Sequence, residues 1–246
     1  MTRPIESGRI AFVRETGSTN ADLLARLRAG DRPGEGEWLV ADRQTSGRGR
    51  QGREWLDAPG NFMGSTCVRL HPQDPPPHSL SLVAALAAYE AVLPRLSEPQ
   101  ALQLKWPNDL LLGGAKIAGI LLERAGDSAV IGIGVNLAAA PVLADRPAGH
   151  LAAAGPAPDR DSFARELAAH FDRELGRWRA FGLEPIVTRW LAAAHPVGSA
   201  LVVHAPDGAW LSGSFVGLER DGALRLRLAS GEIRTVHAGD VALERS

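Results

Sequence analysis

Leu102-Gln103-Leu104-Lys105-Trp106-Pro107-Asn108-Asp109-Leu110-Leu111-Leu112-Gly113-Gly114-Ala115-Lys116-Ile117-Ala118-Gly119-Ile120-Leu121-Leu122 is the stretch on which the fold turns. Leu102 to Lys105 begins a strand, and Pro107, which has a fixed φ and no N–H to donate, forces the chain out of it. Asn108 and Asp109 favour a turn, so their side chains emerge at a strand end, where ligands commonly bind. Leu110 to Leu112 and Ile117 to Leu122 then alternate about Gly113-Gly114 as a β-hairpin. Lys116 follows that turn and returns towards the same neighbourhood, and Gly119 leaves space beside it.

Outward from the hairpin, Ala129 to Leu137 reads as a further β-rich run, and an edge formed by it can serve a carrier domain or a second subunit. Upstream, Phe62 to Leu70 alternates as a strand, and Ser79 to Leu93 is an Ala/Leu helix ended by Pro94. Ile10 to Val13 and Trp38 to Ala41 are short strands. Between them Ser18-Thr19-Asn20 supplies N-cap chemistry for a helix through Leu23, Leu24 and Leu27, closed by Gly30. Strands alternating with helices around a hairpin predict an α+β fold, a mixed β-sheet with packed helices.

Downstream, residues 138–160 are rich in Ala and Pro and read as a surface connection. Phe163, Leu167, Phe171, Leu175 and Trp178 share one face of a helix that Gly182 stops. A shorter helix is expected from Pro185 to Ala194. After Pro196 short alternating runs are separated by Asp207-Gly208, Asp221-Gly222 and Ser230-Gly231, which are hairpin turns. The expected division is a large domain over 1–195 and a small C-terminal β-barrel over 196–246.

A chain of 246 residues that is 45% hydrophobic can bury a core of this size. Its formal net charge of -1 and pI near 6.7 exclude a protein whose overall charge coats nucleic acid or an anionic membrane. Cys67 is the single cysteine, so no internal disulfide forms, and it reads as a small buried hydrophobe. Met1 to Ile10 has no apolar signal core, and Leu82 to Leu93 is too short for a bilayer and carries Glu90. A soluble, cytoplasmic protein is expected. The basic residues are 25 Arg and only two Lys, Lys105 and Lys116, both inside the opening stretch. An ammonium is a compact point charge that a planar guanidinium does not replace, so this bias points to a site that needs ammonium groups.

The run Gly47-Arg48-Gly49-Arg50-Gln51-Gly52-Arg53, with Trp55 after it, lies in a long loop from Gln44 to Asn61. Glycines admit backbone N–H groups close to an anion, and the guanidinium groups bind phosphate or carboxylate oxygens in pairs. Arg and Gly alone fit a solvated linker or a nucleic-acid segment equally well. Trp55 suits a planar base or a core.

Ser18-Thr19-Asn20, the Gly47 to Arg53 loop with Trp55 and Gly60-Asn61, Lys105 to Asp109, Lys116 to Leu121 and Gly132-Ile133-Gly134-Val135-Asn136 together resemble the biotin–protein ligase signature in sequence and spacing, over residues 10 to 138. The resemblance implies a class II synthetase-like catalytic domain followed by an SH3-like domain. It also implies an ATP-dependent reaction in which biotin and ATP, with Mg²⁺, give biotinoyl-AMP and pyrophosphate. The acyl group then passes to a lysine of the biotin carboxyl carrier domain of a biotin-dependent carboxylase. Bringing a carboxylate to an α-phosphate opposes two anions, which repel by roughly 4 kcal/mol at about 4 Å and an effective dielectric of 20.

By that resemblance Lys116 sits between the biotin carboxylate and the α-phosphate and Arg50 shares the reacting charge. Asp109 orients the incoming carrier lysine or accepts its proton. Ser18, Thr19, Asn20, Gln44, Gly47, Arg48, Gly49, Arg50, Lys116 and Gly119 match biotin-binding positions; Arg48, Arg50, Arg53, Trp55, Asn108, Lys116 and Asn136 match ATP-binding ones, with Trp55 stacked on adenine. No protein ligand to the metal is identified. Gln51 stands where the family is commonly basic, and the usual Ser-Pro order is not kept at Asp57-Ala58-Pro59. Only 17 residues precede Ser18, so no DNA partner is expected, and none in a membrane; a homodimer is left open. The rivals are a lipoate or octanoate ligase or transferase and a non-enzymatic nucleic-acid-binding protein.

Overall fold

The computed structural model describes residues 3–4, 10–143, 147–205 and 208–243. In chain order the elements are β1 (Arg3–Pro4), β2 (Ile10–Thr16), α1 (Thr19–Arg28), β3 (Trp38–Gln44), β4 (Phe62–Arg69), α2 (Leu80–Val92), β5 (Leu102–Lys105), β6 (Asp109–Leu112), β7 (Ala115–Ala125), β8 (Ser128–Val135), α3 (Arg160–Phe181), α4 (Glu184–Ala193), β9 (Ala200–His204), β10 (Trp210–Leu218), β11 (Leu224–Leu228), β12 (Ile233–Val236) and β13 (Asp240–Leu243). The helices and strands expected from periodicity are present, and β2 and β3 run on past the apolar residues that announce them. Asp207 of the expected Asp207-Gly208 turn, the first two residues, residues 5–9 and part of the 138–160 connection lie outside the described residues.

Eight strands form one sheet in the order β1-β2-β3-β4-β8-β7-β6-β5. Strands β2 and β3 are parallel, joined by α1, and every other pairing is antiparallel, so the sheet is mixed. The order corrects one expectation. The Ala129 to Leu137 run is not an edge: β8 is paired on both sides, Phe62 to Arg69 against one flank and Ala118 to Ala125 against the other. Its near-continuous apolar sequence is that of a strand buried in mid-sheet.

Helix α2 is apolar on almost every side because it is covered on almost every side, by the sheet, by α3 and by α4. Trp178 of α3 is fully buried and donates its indole N–H to Ser79 Oγ at 2.8 Å. A buried carboxylate, Glu174, is gripped by Arg177 and Arg189, and Arg189 also reaches Glu90 of α2, which ties the three helices together. Cys67 is buried in β4 and unpaired, as expected; burial pushes its thiol pKa up.

Strands β9 to β13 form a five-stranded antiparallel sheet, β12-β11-β10-β9-β13, where a small barrel is expected. It does not stand apart. Leu201, Val203, Phe215, Leu224, Leu226 and Val241 belong to the same continuous core as α2 and α4. Trp106 crosses the junction and donates to the Gly222 carbonyl at 3.0 Å. His195, at the hinge, lies against Phe215 with ring centroids 4.4 Å apart. Among the described residues no helix is long and apolar enough to cross a membrane.

Candidate active site

Ser18 caps α1, its hydroxyl accepting from the Ala21 N–H, and this sets the helix N-terminus against the sheet face. From that turn Thr19 donates to Gln44 Oε1 with both its N–H (2.8 Å) and its hydroxyl (3.0 Å). The Thr19 hydroxyl also meets Ser65 Oγ at 2.6 Å, and Ser65 donates to Asn20 Oδ1 at 2.6 Å. Asn20 in turn donates to Glu123 at 2.8 Å. Ser18, Thr19, Asn20 and Ser65 are buried, so this is a preorganised polar pocket in the sheet face. Gly132 makes room for it: a Cβ there would run into the Asn20 carboxamide.

The Gly47 to Arg53 segment is a folded finger. Trp55 N–H donates to the Gly47 carbonyl at 2.9 Å, Arg48 bridges Glu54, and Gly49 N–H reaches the Arg53 carbonyl at 2.7 Å. Gln51, at the tip, has φ of 55°, a left-handed conformation that a non-glycine residue rarely adopts. At its base Trp55 lays its indole on Gly134 and Gly119, where a Cβ on Gly134 would collide with the ring. The same ring lies 5.8 Å from Lys116 Nζ.

The turn after β5 carries the charge centre. Asp109 is 8% exposed, and Lys105 and Lys116 hold its two oxygens at 2.8 and 2.5 Å. Burial raises the carboxyl pKa, but the two ammonium groups outweigh it and hold Asp109 well below the usual carboxylate range. Arg50 donates to Asn108 Oδ1 at 3.1 Å, and Asn108 donates to the Ile120 carbonyl at 2.6 Å. Burial draws the Arg50 pKa down, opposed by Asp240 and Asp109.

Residues 147–149 add a contact to β7. They lie in the surface connection as expected, but they also pair by backbone with that strand, which the sequence did not show: Lys116 N–H donates to the Pro147 carbonyl at 3.0 Å, and Gly149 N–H returns to the Lys116 carbonyl at 2.9 Å. Asn136 holds them from below, donating to the Gly149 carbonyl at 3.0 Å, and is itself braced by Asn61. Pro147 stays exposed and Ala148 and Gly149 are half-buried, so the segment pairs with the sheet while remaining at the surface.

These parts enclose one cleft of about 980 Å³, large enough for two ligands side by side. Ser18, Thr19, Asn20, Gln44, Arg48, Gly49, Arg50, Arg53, Trp55, Asn108, Asp109, Lys116, Gly119 and Asn136 all line it; of the residues given a catalytic or binding role from sequence, only Gly47 does not, being buried at the finger's base. Asn108 and Asn136 also use their carboxamides within the protein, to the Ile120 and Gly149 carbonyls. Lys105, singled out with Lys116 for its charge, also lines the wall; sequence reasoning missed Ser65 and the rim given by Val202, His204, Trp210 and Asp240 to Leu243. Gly132 and Gly134 carried a usable signal, two glycines on one face of a strand. Ser65 and the C-terminal rim carried none, because only long-range pairing brings them there. Among the described residues no group of three His, Cys, Asp or Glu is placed to hold a metal ion.

The Biotin/lipoate A/B protein ligase family matches residues 16–137, and the Biotin protein ligase C terminal domain matches residues 201–243. The chain is 38% identical over 233 residues to the Biotin--[acetyl-CoA-carboxylase] ligase of Paracoccus denitrificans, covering 89% of this chain and 95% of that one. It is also 38% identical over 235 residues to the ligase of the same name from Mycobacterium tuberculosis, covering 93% and 86%. The structure is similar to that of the biotin protein ligase from Aquifex aeolicus in complex with biotin and ATP, with a TM-score of 0.81 and 25% identity over 97% of this chain and 99% of that one. It is likewise similar to the Leishmania major biotin protein ligase in complex with biotinyl-5-AMP, at a TM-score of 0.65 and 26% identity over 94% and 99%.

Proposed function

This chain belongs to the biotin/lipoate A/B protein ligase family, and we propose on that premise that it is an ATP-dependent biotin–protein ligase. The biotin carboxylate attacks the α-phosphorus of ATP, pyrophosphate leaves, and the resulting biotinoyl-AMP acylates a lysine amine of a carboxylase's biotin carboxyl carrier domain with release of AMP. The observation that carries this reading is the Lys116 ammonium, fixed by Asp109 at 2.5 Å, in a cleft that has a neutral hydrogen-bonding pocket on one side and an arginine finger on the other.

The pocket of Ser18, Thr19, Asn20, Gln44 and Ser65 suits an uncharged polar head such as the ureido ring, which needs paired donors and acceptors and no net charge. Lys116 offsets the charge that builds as carboxylate meets phosphate, and Arg48, Arg50 and Arg53 take up the phosphates. Mg²⁺ held by the phosphates of the nucleotide would share that charge with these residues. Trp55 stacks on the adenine or on the acyl chain between the two halves. Asp109 acts as an orienting group: a carboxylate pressed by two ammonium groups is too weak a base to take the carrier lysine's proton. We take it to be a cytoplasmic enzyme without a DNA partner; its net charge of -1 gives it no general attraction to nucleic acid. We take residues 1–195 as the catalytic unit and 196–246 as the wall that closes it.

ATP–pyrophosphate exchange with biotin, lipoate and octanoate offered separately tests this. Exchange with biotin, lost in Lys116→Ala, is expected. Exchange with lipoate or octanoate alone would move the acid, and exchange with none would end the ligase reading.

A further inference from the structure

Three cations of the cleft are tied to one short piece of the C-terminal sheet, the lead into β13. Arg50 donates to the Gly239 carbonyl at 3.1 Å, Lys105 to the Val241 carbonyl at 2.8 Å, and Arg53 pairs with the Asp240 carboxylate. Gly239 is needed there, because a Cβ would press on the His204 carbonyl at 2.9 Å. Two of the acceptors are backbone carbonyls. Asp240 alone among the three residues adds a full charge, and it faces a guanidinium of the finger that lies over the phosphate side of the cleft.

The geometry points to Asp240 as a positioning residue for the arginine finger. Its carboxylate holds Arg53, and with it the tip Arg50 to Arg53, against the C-terminal sheet, so the cleft stays shut over the acyl adenylate until the carrier lysine arrives. This rests on the ligase reading. An open finger admits water, which adds to the acyl carbon as the acyl–oxygen bond to phosphate breaks, giving free acid, AMP and a proton. The contact spans two domains and is partly exposed, with side-chain exposures of 37% and 30%. It is therefore weak enough to open for each turnover.

The test uses the full-length protein and the variants Asp240→Asn and Asp240→Glu, with three measurements: AMP formed from biotin and ATP without carrier, deuterium uptake by residues 47–55 without substrates, and the thermal midpoint. Asp240→Asn is expected to raise carrier-free AMP about fivefold, the equivalent of about 1 kcal/mol, and to raise uptake in the finger. Asp240→Glu, which keeps the charge, is expected to stay near wild type in both. Unchanged AMP and uptake in Asp240→Asn would overturn the proposal. So would an equal rise in both variants accompanied by a lowered midpoint, since that marks a structural role. If wild type shows no biotin-dependent ATP–pyrophosphate exchange while finger uptake rises in Asp240→Asn alone, the clasp stands and the ligase reading fails.

Discussion

Lys105 and Lys116, the two lysines of the chain, close on opposite oxygens of the Asp109 carboxylate at 2.8 and 2.5 Å. The carboxylate is the spacer that keeps two ammonium groups side by side in a half-buried cleft without mutual repulsion. Asp109→Asn keeps the shape and removes the charge. It is expected to slow ATP–pyrophosphate exchange by about 10²-fold through misplacement of Lys116, with a smaller change in the KM for biotin. A loss confined to KM would count against an orienting role.

The same carboxylate makes the fold acid-sensitive. Its pKa in the folded state lies below the ordinary carboxylate value of 3.8, so its contribution is present above that value and is lost as pH falls further. Urea midpoints between pH 5 and 3 are expected to drop more steeply in wild type than in Asp109→Asn.

His195 titrates in a higher window. Burial against Phe215 pushes its pKa down to about 4 from 6.5, only partly opposed by the Pro196 backbone. The unfolded chain therefore binds the extra proton first, and stability present above pH 6.5 is lost as pH falls towards 4, by up to about 3 kcal/mol. His195→Leu is expected to be near neutral at pH 7.5 and to flatten that decline, as read from urea unfolding across the range. An unchanged slope would show that other groups govern it.

Gly132→Ala places a methyl group against the Asn20 carboxamide. Overpacking of this kind costs about 1–3 kcal/mol, so the KM for biotin is expected to rise about tenfold or more while the KM for ATP changes little. Equal changes in both would mean that the pocket beside Asn20 is not where the acid's head group binds.

Trp106→Phe removes a buried N–H from the Gly222 carbonyl and leaves the ring volume largely filled. An unsatisfied buried acceptor costs about 1–3 kcal/mol, which should appear in the urea midpoint with the secondary structure unchanged.

Local signals account for what was legible in the sequence. The Ser18 cap, the Gly113-Gly114 turn and the spacing from Phe163 to Trp178 each lie within a few residues, and each element formed as read. Strand order was not legible: β8 reads as an edge or a centre equally well until its partners β4 and β7 are known, and these pair with it over whole strands. Residues 147–149 were missed because their hydrogen bonds are made by backbone, which no side-chain pattern reports. The finger residues were legible as chemistry, whereas their anchor at Gly239 to Val241 lies 189 positions from Arg50 and carries no motif.

The shared core bears on how the molecule is made. A nascent chain emerging as far as His195 has the sheet, both lysines and the finger, yet lacks the apolar surface that should cover α2 and α4 and the carbonyls that receive Arg50 and Lys105. Ligation activity during synthesis should therefore appear only once β13 has been made and has closed the core shared with α2 and α4.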